Sequence, residues 1–265
     1  MRTRPSTLHP SVVLHAVLAG LLDLTLPVEC PGCGTAGSRC CAGCRAVLSA
    51  GTPVPWRPSP APPGFPPTWS ALPYAGVTRE CIVAWKDGDR ADLTRLFAPV
   101  LAGSLSAVLS GRPGWASAVR DGTPVLVVPT PSARGSTRHR GRAPVRDLCR
   151  AVLGRAGGSA LGLHCVPALT LRRRVHDQAG LGREQRAANL SGAMGVRPRH
   201  TAAVAGAHVV VVDDVVTTGA TLAEAARALA TAGAADVVAV TLAATRRHAA
   251  APEARAGLPA GRDRV

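Results

Sequence analysis

The sequence predicts an α/β fold built on a parallel sheet. Two observations carry this. Short apolar runs (Val125–Val128, Val209–Val212, Val237–Leu242) alternate with helical stretches. The runs are also apolar on both faces, with Thr241 the one polar residue in them, as strands covered on both sides require. A third observation sets a small module ahead of the sheet: five cysteines crowd into Cys30, Cys33, Cys40, Cys41 and Cys44.

Residues 1–27 are expected to form an N-terminal helix, spanning residues 8–26 and stopped by Pro27. Its apolar part, Val12–Leu26, contains His15 and Asp23 and falls short of the ~20 residues a membrane span needs. It also lacks a small-x-small cleavage site, so a helix docked on the body is expected rather than a signal peptide or a span.

Residues 28–49 form the expected zinc knuckle module. Cys30-Pro-Gly-Cys33 and Cys41-Ala-Gly-Cys44 are two C-x2-C turns separated by seven residues. Each turn presents two thiolates to one tetrahedral ion, and glycine lets the chain bend back. Cys40 stands beside Cys41 and is an alternative ligand, but only Cys41 completes a two-residue spacing with Cys44. The clustering itself indicates metal binding in a reducing compartment, the cytoplasm, rather than a secreted disulfide framework.

Residues 50–73 are expected to be a semi-extended linker, because nine prolines in residues 51–73 oppose both a ladder and a helix interior. Residues 74–245 are the expected main domain. Helices are predicted over Thr78–Trp85, Asp92–Leu109, Arg142–Gly154, Gly182–Leu190 and Ala220–Ala232. Cys165–Leu171 is a further predicted strand. Residues 246–265 lack periodicity and are expected to be a disordered tail.

The chemistry concentrates at the end of the Val209–Val212 strand. Asp213 and Asp214 follow it directly, in the place where parallel sheets bind ligands. Adjacent carboxylates there call for a cation or a diol. Thr217, Thr218, Gly219, Ala220 and Thr221 then open a helix whose free N–H groups and hydroxyls make a phosphate cradle. A ribose 5-phosphate satisfies both halves. Neither a Gly-x-x-x-x-Gly-Lys run nor a Gly-x-Gly-x-x-Gly run is present, which excludes the common nucleotide-binding loops.

This segment closely resembles the ribose-phosphate fingerprint of the type I phosphoribosyltransferases. The resemblance implies that Asp213 and Asp214 hold the ribose hydroxyls of phosphoribosyl pyrophosphate (PRPP). It implies that the loop through Val215, Thr217, Thr218, Gly219, Ala220 and Thr221 holds the 5′-phosphate. It also implies Mg²⁺ as cofactor and displacement of pyrophosphate at C1. The helix, knuckles, linker and domain together resemble the ComF-type, competence-associated proteins. Tyr74-Ala-Gly-Val77, Val128-Pro-Thr-Pro131 and the stretch Asp177–Ala193 carry that likeness. The family's loop after V-P-x-P is replaced here by Arg140-Gly141-Arg142-Ala143-Pro144, which keeps only its Arg-Gly start.

Charge supplies the remaining candidates. The formal net charge is +15, and Lys86 is the single lysine among 31 basic residues. A lone lysine in an arginine-rich chain points to a required ammonium, with pyrophosphate as its expected partner. Arg138 and Arg140 are the expected loop contacts. A basic chain favours anionic partners, and the competence association implies a second class of function: an accessory protein binding single-stranded DNA. Aromatics amount to only 3%, too few for an obvious base-stacking platform. No motif names the acceptor.

Overall fold

In a computed structural model, the described residues are 28–132, 141–155, 162–172 and 192–245. The expected helix over residues 8–26, the helix over Gly182–Leu190 and the tail lie outside them.

The described residues begin with the two cysteine turns and helix α1 (Ala42–Ser49). Strands β1 (Val54–Trp56) and β2 (Thr68–Pro73) follow. Helix α2 (Gly76–Lys86) leads through a short 3-10 turn (Ala91–Leu93) into α3 (Thr94–Gly111), then α4 (Pro113–Arg120) and β3 (Val125–Pro129). Helix α5 (Pro144–Arg155) precedes β4 (Leu163–Cys165), β5 (Leu169–Leu171) and β6 (Met194–Val196). A single helical turn, α6 (Thr201–Val204), then leads into β7 (His208–Val216), α7 (Ala220–Thr231) and β8 (Asp236–Ala244).

Six strands form one sheet in the order β1-β2-β8-β7-β3-β4. All its pairings are parallel except β1 with β2. Both faces are covered, which is why the strands read as unbroken valine runs. Val210 and Val212 join a core shared with α1, α2, α3 and α5. Val209 and Val211 join the opposite core, shared with α7 and the β5–β6 hairpin. Residues Ala91–Gly111 are long and apolar enough to cross a membrane by length and composition. Here Phe97, Leu101, Leu105 and Val108 of that stretch are packed into the first core.

Three expectations need correction. The proline-rich segment contributes two strands to the sheet. Pro55 is tolerated because β1 is the edge strand, and Pro73 because it ends β2. The single strand expected over Cys165–Leu171 is two. Beyond Cys165 the chain leaves the main sheet around Pro167, and Leu169–Leu171 pairs antiparallel with β6. Strand β7 does not stop before the acids but runs to Val216. The knuckle segment packs onto the body of the fold. It ends in α1, and Cys30, Cys44 and Leu48 enter the same core as α2 and α3.

Candidate functional site: the acid pair and the cysteine tetrad

Strand β7 is longer than its neighbour β3, and that mismatch builds the site. Pairing with β3 ends at Pro129–Val212, whereas pairing with β8 continues to Val216–Ala244. Asp213 and Asp214 therefore lie just past the last β3 partner, at the carboxyl edge of the sheet. The departing β3 chain turns a hydroxyl toward them: Thr130 Oγ1 donates to Asp213 Oδ1 at 2.8 Å. Backbone N–H groups complete the frame. Asp214 N donates to Asp213 Oδ1 at 3.0 Å, and Val215 N donates to Asp214 Oδ1 at 2.8 Å.

Asp214 is 3% exposed, and its Oδ2 lies 2.5 Å from Nζ of Lys86, which is half-exposed. The sequence argument selected Lys86 as a required ammonium with pyrophosphate as its expected partner; the structure places that ammonium against the Asp214 carboxylate. Burial alone would lower its pKa; Asp214 and Asp213 outweigh that and hold the ammonium above its ordinary range. Asp213 moves the other way. Burial first, then the neighbouring Asp214 charge, push its carboxyl up to about 7, against the smaller downward pull of Lys86 and Thr130. The site thus sets the Lys86–Asp214 contact beside a carboxyl, Asp213, poised to gain or lose a proton near neutrality.

The loop follows immediately. Gly219 has φ +80°, the left-handed conformation that L side chains rarely adopt, and it is the N-cap of α7. Glycine has no side chain to cap the helix, so the first turn of α7 receives no capping bond from its N-cap residue. Thr218 Oγ1 approaches Ala220 N at 3.5 Å. The close approach at Gly219 is to protein: a Cβ there would sit 2.6 Å from Phe65 Cε2 and 3.2 Å from Pro58 Cγ. The proline-rich segment supports the loop from behind.

Three contributors escaped the sequence reading. Thr130 lay inside the Val128–Pro131 motif without being assigned a role. Phe65 carried no local signal. Arg142, in the Arg-Gly run, donates through Nη2 to the Trp85 carbonyl, one residue from Lys86. Arg138 and Arg140 lie outside the described residues. A groove of about 840 Å³ between Pro62–Pro66 and α7 does not include the acids, so the site is defined by side-chain placement rather than by that cavity.

The second constellation is the cysteine tetrad. The Sγ atoms of Cys30, Cys33, Cys41 and Cys44 all lie within 4.8 Å of one another. Cys33 and Cys41 Sγ are 3.6 Å apart. Four thiolates about 2.3 Å from a tetrahedral zinc would be separated by about 3.8 Å, so the donor set fits a structural Zn²⁺. Cys41 Sγ accepts from Cys44 N at 3.4 Å as the cap of α1, and Cys30 Sγ accepts from Cys41 N at 3.4 Å. Burial would raise the Cys30 pKa, but the N–H groups of Cys41, Gly32 and Cys33 bring it down to about 6, favouring the thiolate a metal needs. Cys40 is buried beside the tetrad and is not one of its four members.

Residues 153–256 match the family model of the phosphoribosyl transferase domain. The match takes in β7, the acid pair, the loop, α7 and β8. The mostly parallel α/β sheet is therefore matched over residues 153–256 by the phosphoribosyl transferase domain model, and a four-cysteine cluster precedes it. No curated protein matches the chain.

Proposed function

We propose that the domain binds PRPP together with Mg²⁺ and transfers its phosphoribosyl group to an acceptor, releasing pyrophosphate. One observation carries this reading. An acid pair framed by Thr130 and Lys86 stands directly before a positive-φ glycine at a helix N-terminus. They support a diol-binding end at the acids and an ester-binding end at the loop a few residues on.

In this reading Asp213 and Asp214 accept hydrogen bonds from the ribose hydroxyls, and Thr217, Thr218, Gly219, Ala220 and Thr221 receive the 5′-phosphate. The C1–O bond to pyrophosphate breaks with its electron pair leaving on pyrophosphate, and positive charge grows at C1. A carboxylate fixed nearby stabilises that charge without reorganising. Mg²⁺, when bound with PRPP, supplies neutralisation of the leaving group. The acids at the site are hard oxygen donors suited to it.

Calorimetric titration with PRPP and Mg²⁺ tests the reading. Binding by the wild type and its loss in the Asp213→Asn/Asp214→Asn double variant, with folding retained, is the expected result. Affinity unchanged in that variant would sink the site. Pyrophosphate release across a panel of bases and amines would then identify the acceptor.

The tetrad ahead of the domain supports the finer ComF-type reading, with Zn²⁺ as a structural ion. Eight free cysteines support a reducing compartment, the cytoplasm. The net charge of +15 supports nucleic-acid handling in DNA uptake as a second role. Single-stranded DNA binding that survives Asp213→Asn but is lost with zinc would assign that role to the cysteine module.

A further inference from the structure

Helix α2 touches both constellations. At its first turn there is no free space against the cysteine module: a Cβ on Gly32 would lie 2.8 Å from Cys44 Sγ and 2.9 Å from Val77 Cγ1. One turn on, Cys81 is fully buried in the core that also holds Cys30, Cys40 and Cys44. The last residue of α2 is Lys86, whose ammonium meets Asp214. Val77 and Lys86 are nine residues apart, about 14 Å along the helix axis.

The chain after α2 returns to the module. Arg90 is held by Asp92 through two contacts of 2.9 Å. Its guanidinium donates to the carbonyl of Glu29 at 3.2 Å and to that of Arg39. Glu29 immediately precedes the ligand Cys30, and Arg39 lies two residues before the ligand Cys41. One side chain therefore grips both cysteine turns from the segment just beyond Lys86. The planar five-donor fork of arginine suits this, where lysine would not.

We propose that Arg90 is a positioning residue: with the metal-loaded tetrad it fixes α2, and α2 in turn holds Lys86 against Asp214. Metal occupancy and sugar-phosphate binding are then coupled. The inference rests on the reading of the acid pair as the PRPP site. Its physical basis is that packed interiors transmit displacement, and an ion pair 2.5 Å long weakens sharply when one partner shifts. Without a metal, four thiols have no common partner, and the two turns that Arg90 grips lose their shared anchor. Thermodynamic linkage makes the effect reciprocal: a ligand that uses the Lys86–Asp214 pair must also strengthen metal retention.

The test uses the full zinc-loaded chain and three readouts. The first is the rate of zinc transfer to a chromogenic chelator, with and without PRPP and Mg²⁺. The wild type should release zinc about fivefold or more slowly when PRPP is bound. Lys86→Met, assayed at a PRPP concentration that saturates the variant, should abolish that protection. The second is PRPP affinity in Arg90→Gln, which should weaken by a similar factor while zinc stoichiometry and circular dichroism stay at wild-type values. The third is amide hydrogen exchange, which should quicken over Val83–Lys86 in Arg90→Gln whether or not PRPP is present. Unchanged exchange over Val83–Lys86, or PRPP binding without any slowing of zinc release, overturns the coupling. Quickened exchange in a protein that binds no PRPP upholds the mechanical link and overturns the sugar-phosphate reading alone.

Discussion

Asp213 carries a pH dependence whose sign can be worked out. Its folded-state carboxyl is pushed up to about 7 by burial and by Asp214, well above its range in an unfolded chain. Between about pH 4 and pH 7 the folded protein therefore holds the extra proton, and the unliganded fold loses stability as pH rises through that window. Denaturant titrations at pH 5 and pH 8 should show the wild type more stable at the lower pH, with Asp213→Asn flattening the difference. Lys86 gives a second residue-scale prediction. Lys86→Met leaves a 3%-exposed carboxylate without its cation and should cost roughly 1–3 kcal/mol. Adding Asp214→Asn should recover part of that loss, because no charge then remains to be neutralised. Both acids were legible in the sequence as types at a position. The upward shift at Asp213 was not, because it depends on how deeply the fold buries that carboxyl.

Two elements decide where the chemistry sits. Strand β7 outruns β3, so its last residues are paired on one side only, to β8. Valine runs reveal a buried strand but not the length of its neighbours, which is why β7 appeared to end at the acids. Helix α7 begins at a left-handed glycine backed by Phe65. Gly219→Ala should therefore cost about 1–3 kcal/mol in urea denaturation, from backbone strain together with a clash against the ring. Phe65→Ala should relieve only the clash. The proline-rich segment shows why composition misled: prolines oppose strands in the middle of a sheet, yet β1 is an edge, and Pro73 closes β2. Pro167, which the predicted strand Cys165–Leu171 ran through, stands where one apolar run divides between two sheets.

At the scale of the molecule, the cysteine module and the sheet share one core. Cys30, Cys44 and Leu48 belong to the same packed cluster as Trp85, Phe97 and Val212. Removing the metal should therefore lower the main thermal transition by several degrees rather than produce a separate, earlier one. Elemental analysis should find about one zinc per chain, and Cys33→Ser should reduce it. A calorimetric trace in which chelation leaves the main transition unmoved would show that the module is dispensable to the body.

The sequence by itself determined the α/β class, the cysteine turns, the acid pair and the glycine-led loop. Each is a local pattern, written in residues that stand a few positions apart and keep their meaning in any surroundings. Tertiary structure alone decided that Lys86 meets Asp214, that Thr130 faces Asp213, that Phe65 backs Gly219 and that Arg90 grips both cysteine turns. Those partners lie tens of residues or more apart, and only the packing of helices on the sheet brings them within hydrogen-bond or van der Waals reach.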